Sequence, residues 1–166
     1  IESNIDDMSI GGGAKGTAKG WDWDLSQVYG GNAFQFIISN SNNASMGLAS
    51  PTTFDAGTLG FGQALTNLDV TRKFDLNGRP LRVSTGAEFR WENYSIEAGE
   101  LASYVNGGVP VLDAIGNPVR NSAGNTSIAL VGSQVFPGFS PKDALDRSRT
   151  AGAAYLDVES DLTAKW

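Results

Sequence analysis

Residues 81–92, LRVSTGAEFRWE, alternate without a break. Leu81, Val83, Thr85, Ala87, Phe89 and Trp91 share one parity; Arg82, Ser84, Gly86, Glu88, Arg90 and Glu92 share the other. A helix would scatter these charges around its circumference, so period two predicts a strand with one apolar and one charged face. Residues 152–166, GAAYLDVESDLTAKW, repeat the pattern. Leu156, Val158, Leu162 and Trp166 alternate with Tyr155, Asp157, Glu159, Asp161 and Lys165, with Ser160 the exception on the apolar side.

Weaker signals fill in the rest of an all-β chain. The expected strands are about 1–13, 20–38, 60–76, 80–98 and 148–166, forming an antiparallel meander of about five long strands. Within 60–76, Phe61 and Leu65 have one parity and Leu68, Val70 and Phe74 the other, which a bulge near Asn67 would reconcile. Asn77-Gly78 is a strong hairpin signal. The run GGGAKGTAKG can supply another tight turn. Its Gly, Lys and Thr suggest a phosphate cradle, but the contiguous Gly-Lys-Thr is missing and Trp21, Trp23 and Leu25 then alternate as a strand, so the P-loop reading fails. The other connections, 39–59 and 99–147, are long and rich in Asn, Ser, Gly and Pro. Residues 141–148 can form one helical turn. Turns therefore alternate short, long, short, long.

Composition removes several functions. The chain of 166 residues has no cysteine and no histidine, so thiolate chemistry and a Ser-His-Asp triad are excluded and a zinc enzyme is disfavoured. A net charge of −6 argues against nucleic acid. The longest apolar runs are far too short for a membrane helix, which leaves a membrane β-barrel open. Glu88 and Glu92 would stand about 13 Å apart on a strand, too far for a glycosidase pair. Asp6-Asp7 and the Asp22/Asp24 pair lack the spacing of a calcium loop. Asn43, Asn93 and Asn125 head matches to the glycosylation acceptor pattern. No catalytic residues, no cofactor and no metal are expected.

Alternation alone does not say which face is wet. In a soluble sandwich the charged face meets solvent; in a transmembrane barrel it lines the lumen and the apolar face meets lipid. Strand length favours the barrel: residues 80–98 span about 60 Å at the usual rise, against a globular mode of about five or six residues. Aromatic placement favours it too. Trp21 and Trp23 follow a short turn, and Trp166 ends the last strand at the matching level, as a girdle would.

Several segments in order, among them GWDWDLSQVYGGNAF, LTNLDVTRKF, GAEFRWENYSIEAGELASY, GSQVFPGFSP and RTAGAAYLDVESDLTAKW, resemble the barrel of TonB-dependent outer-membrane receptors over about residues 18–166. The resemblance implies part of a 22-stranded transmembrane β-barrel closed around a plug domain. It implies a bacterial outer-membrane location and uptake of a scarce solute such as an iron chelate, cobalamin or an oligosaccharide. The implied partners are outer-membrane lipid, the rest of the barrel and plug, and the TonB complex acting through that plug. Strands 20–38 and 80–98 then rise outward, and 39–59 and 99–147 are external loops. No plug or TonB-contacting segment is recognisable, and the alternation is still running at Trp166, so the expectation is a piece of a larger barrel.

Phe54, Tyr104, Phe136 and Phe139 lie among Gly, Asn and Ser in the expected loops. Such aromatics can contact a solute, or pack the loops onto each other, which Pro137 and Pro141 favour. The alternative function is a soluble all-β binding or adhesion module that recognises ligand through its long loops.

Overall fold

The computed structural model describes residues 1–76 and 78–160. Five strands form one antiparallel meander in sequence order: β1 Glu2–Ala18, β2 Trp21–Ser39, β3 Thr53–Asp75, β4 Pro80–Ala98 and β5 Leu145–Ser160. They are 16 to 23 residues long, and the sheet is not closed: β1 and β5 are its edges. Two short 3-10 segments, Ala44–Ala49 and Leu101–Ser103, interrupt the long connections. No helix among the described residues is long and apolar enough to cross a membrane, which says nothing about crossing by strands.

The boundaries depart from the expected ones in three places. β1 runs to Ala18 rather than ending near 13, so the glycine run is strand and the turn is only Lys19-Gly20. Both turn residues have positive φ, +53° and +80°, as the tight hairpin turn matched to strand twist demands. The glycines serve contact instead. A Cβ on Gly16 would lie 2.9 Å from the Trp23 ring, and one on Gly13 would lie 2.6 Å from the Leu25 carbonyl. β3 begins at Thr53 rather than 60, taking the end of the expected 39–59 loop into the sheet. β5 begins at Leu145, and the expected helical turn is a Ser140–Asp143 turn closed by the Asp143 N–H on the Ser140 carbonyl at 2.9 Å.

The chain divides into two compact units. The strand unit comprises Asp7–Gly31, Gly62–Asn93 and Ser148–Trp166, with 161–166 outside the described residues. The expected Asn77 of the turn and Trp166 of the girdle also lie outside them. Around Asn77, Leu76 and Arg79 exchange backbone hydrogen bonds of 2.8 and 3.2 Å, and the Asp75 carboxylate accepts from the Gly78 N–H at 2.7 Å. No bulge near Asn67 is required. Gly62 shares a face with Trp91, while Asp69 and Thr71 share the other with Gly86 and Ser84. Even positions of β3 thus stay with odd positions of β4 on both sides of Asn67. The mixed parity of Leu65 and Leu68 means one leucine on each face.

The loop unit comprises Ile1–Asp6, Asn32–Phe61 and Tyr94–Arg147. It contains the buried core residues Ile38, Phe54 and Ala56, against which Phe36, Ala102 and Phe136 pack. Within it, residues 109–130 make a closed device. The Val119 N–H donates to Val111, Ser127 to Val119, and Val111 to Ser127, at 2.8, 2.8 and 2.9 Å. This ring of three short segments leaves none of the three without a backbone partner. Its corners are two similar turns, 113–117 and 121–125, where the side-chain oxygens of Asp113 and Asn121 accept backbone N–H groups and Gly116 and Gly124 take positive φ.

Candidate functional site

The strand unit has two chemically opposite faces, and contacts assign every strand. On one face Tyr155 donates its hydroxyl to Asp69 at 2.7 Å, Thr71 meets Ser84 at 3.0 Å, and Arg82 approaches Glu159 at 3.6 Å. Arg90 pairs with Glu88 at 2.7 Å on the same strand, and Arg149 pairs with Glu92. Thr17 donates to Asp22 at 2.7 Å on the β1–β2 end of this face. The mixed charges therefore interlock across β4 and β5, as opposite charges on neighbouring strands do. Two open hollows lie along the unit. One, of about 430 Å³, includes Lys15, Asp22, Asp24, Asp69 and Thr71. The other, of about 470 Å³, includes Lys73, Arg82 and Glu159.

Because neighbours along a strand alternate, the opposite face holds Trp21, Trp23 and Leu25 of β2 and Leu68, Val70 and Phe74 of β3. It also holds Leu81, Val83, Phe89 and Trp91 of β4, with Leu156 and Val158 of β5. Phe89 is 53% exposed, Leu156 71% and Val158 58%. These side chains are not buried against a second β-layer or a helix. A fully buried Leu, Val or Phe side chain is worth about 1.5–3 kcal/mol, and Phe89, Leu156 and Val158 forgo more than half of that gain.

Trp21 and Phe74 meet edge to face at 6.0 Å, at the end of the unit where β1 turns into β2 and β3 into β4. Arg72 lies between them, its guanidinium carbon 4.9 Å from the Phe74 centroid and 5.6 Å from that of Trp21. Trp23 covers Gly16.

The loop unit places the four sequence-selected aromatics differently from one another. Phe54 is fully buried in the core. Phe136 and Phe139 come together at 5.6 Å, edge to face, and both contact Phe36, at 4.9 and 6.1 Å. Tyr104 follows the second 3-10 segment, partly buried, outside this ring cluster. Sequence reading missed Phe34 and Phe36, which complete the cluster from β2; their rings are 4.7 Å apart. The apolar run FQFII carries the signal, but only the folded loops show what it packs against.

Polar groups at the centre of the loop unit fix the connections. Asn43 is fully buried. Its amide donates to the Ala102 and Val105 carbonyls at 2.9 and 2.8 Å, and its oxygen accepts from the Ser45 N–H and hydroxyl. Both amide hydrogens are committed, so this acceptor-pattern asparagine is a structural clamp. Ser133 and Ser103, also fully buried, donate to the Phe136 and Glu100 carbonyls at 2.7 Å each. Two loop carboxylates are acidified by the groups they accept from. The Asn117 N–H holds Asp113 below the ordinary carboxylate value, and the Ser140 hydroxyl and N–H do the same for Asp143.

No family model matches the chain, and neither a curated protein nor a solved structure does.

Proposed function

We propose that this chain forms part of the wall of a TonB-dependent outer-membrane receptor barrel and takes part in uptake of a scarce solute, without catalysis. The observation that carries the reading is the division of the strand unit into a salt-bridged polar face and an exposed, predominantly apolar face. A soluble protein has little reason to expose Leu156, Val158 and Phe89 on one side of 16- to 19-residue strands. Hydrocarbon removes that cost, and the interlocked charges then belong to an aqueous lumen. A crossing needs about 9–11 residues, so these strands also reach beyond the bilayer. The free edges of β1 and β5 are where further strands of the barrel would pair, since an open edge is not tolerated in lipid. The family and the class of solute, an iron chelate, cobalamin or an oligosaccharide, come from the resemblance of the ordered segments.

The long connections are external loops in this reading. Phe54 holds them together as core, while Tyr104, Phe136 and Phe139 remain the proposed solute-contacting aromatics. Outer-membrane lipid, the remaining barrel and plug, and the TonB complex acting through the plug are the proposed partners.

The test uses the full-length protein reconstituted in lipid with single spin labels at Phe89 or at Asp157. Lipid-soluble oxygen should relax the Phe89 label and a water-soluble nickel chelate the Asp157 label. A detergent-free, monodisperse monomer with both labels open to nickel would overturn the reading and favour a soluble all-β binding or adhesion module.

A further inference from the structure

We propose that Arg72, with Trp21 and Phe74, forms a binding site for the phosphate of a membrane lipid headgroup; this rests on the membrane reading above.

Arg72 is the unexpected residue of the apolar face. Its parity places it with Val70 and Phe74, and its ring contacts place it beside Trp21. The register that opposes Thr71 and Ser84 sets it level with Val83 on the other side. The ion pairs of the unit involving Arg82, Arg90 and Arg149 all lie on the opposite face. Among the described residues, Arg72 forms neither an ion pair nor a side-chain hydrogen bond. Its two neighbouring rings hold the cation by their faces but satisfy none of its N–H donors, of which a guanidinium carries five in a planar fork.

Position supplies the occupant. Arg72 lies near the end of β3 and level with the first residue of β2, where the lipid-facing aromatics gather. Trp at such a boundary marks the headgroup level, and an arginine on the lipid face is costly at the bilayer midplane but nearly neutral there. The chemistry at that level that matches a planar, bidentate donor is phosphate. Gly20 lies beside the guanidinium and brings no side chain to crowd it; a Cβ there would stand in contact with the guanidinium carbon at 3.6 Å. The adjacent Lys19 is exposed and adds a second positive charge at the turn. A free phosphate would gain nothing from the two rings or the apolar face around them. A lipid uses both, with its phosphate on the fork and its acyl chains along Val70 and Val83.

The experiment is native mass spectrometry of the full-length protein released from nanodiscs that contain phosphatidylglycerol, comparing wild type, Arg72→Gln and Arg72→Lys. Wild type should retain this lipid about tenfold or more strongly than Arg72→Gln, the size of one charge-assisted hydrogen bond. Arg72→Lys, which keeps charge and loses the fork, should fall between them and shows that the loss is not one of folding. Excess inorganic phosphate should displace nothing; displacement would overturn the lipid assignment. Equal retention by all three proteins, with water alone solvating the cation, would overturn the site. The Phe89 spin label, six residues further along β4 than Val83, separates the two failures. Lipid contact there with equal retention ends this proposal and leaves the membrane reading, whereas water contact there ends both.

Discussion

Asn43 shows how much one buried side chain decides in the loop unit. It links the 3-10 segment after β2 to the carbonyls that follow β4, residues far apart in sequence. Removing it leaves the Ala102 carbonyl without that donor and the Ser45 hydroxyl with only its longer 3.3 Å bond to the Val105 carbonyl. Each buried polar group left unsatisfied costs about 1–3 kcal/mol. Asn43→Ala should therefore open residues 99–109 to protease in the otherwise intact protein. Asn43→Asp should be worse, because a carboxylate would face two carbonyl oxygens; a proteolysis time course on both variants checks the order. Gly57 is a second such point. Its φ is +106°, and a Cβ would stand 2.5 Å from the Glu97 carbonyl and 3.0 Å from the Phe139 ring. Gly57→Ala should cost at least the ~1–3 kcal/mol of a strained backbone and lower the melting temperature of the protein. Neither role is legible in sequence. Asn43 reads as a glycosylation acceptor and Gly57 as loop glycine, because the partners that give them meaning come from other connections.

At the scale of elements, the strands follow from alternation and the turns from local chemistry. Lys19 sits in the left-handed region without being glycine, which costs the β1–β2 hairpin about 1–3 kcal/mol. Lys19→Asn, a residue favoured in this turn, should raise the urea midpoint with no change in slope. The Ser140–Asp143 turn before β5 responds to acid. Asp143 has its carboxyl acidified in the folded turn by the Ser140 hydroxyl and N–H. A lowered folded value means that its contribution is complete above the ordinary 3.8 and lost as pH falls through the folded value. Exchange protection of the Ser140 amide should stay flat from neutral pH down to about 5, then fall below 3.8. Asp143→Asn should abolish that dependence. Sequence placed the strands but misplaced their ends. The glycine run before Lys19 reads as turn because glycine allows either; only the Trp23 ring across the sheet explains why it is strand. Thr53–Leu59 reads as loop because Gly57 breaks the pattern, yet the loop unit holds it extended.

At the scale of the whole molecule, the decisive asymmetry is between two neighbouring residues, Leu156 and Asp157. On the proposed barrel reading, an arginine facing lipid costs between the ~0–1 kcal/mol of the interface and the ~2–4 kcal/mol of the midplane at Leu156, one residue pair inward of Arg72, whereas lumen positions tolerate charge. Leu156→Arg should reduce the heat-modifiable, folded form in outer membranes, and Asp157→Arg should leave it near wild type. Equal effects of the two substitutions would contradict the barrel reading. The apolar and polar sets behind this prediction are those read from residues 81–92 and 152–158 alone.

The sequence by itself determined the all-β class, the strand-rich meander and the chemical division of the best strands, because period two is a local property that every residue of a strand obeys independently of its partners. It also singled out Trp21 and Trp23. Only the tertiary structure decided that Phe54 is core, that Phe34 and Phe36 join Phe136 and Phe139, and that Arg72 lies between Trp21 and Phe74. Those facts depend on which distant segments come to share a face, and on register. Hydrophobicity fixes which side a residue takes on its own strand, while its neighbours across the sheet are set by turns and close glycine contacts that leave little trace in a linear pattern.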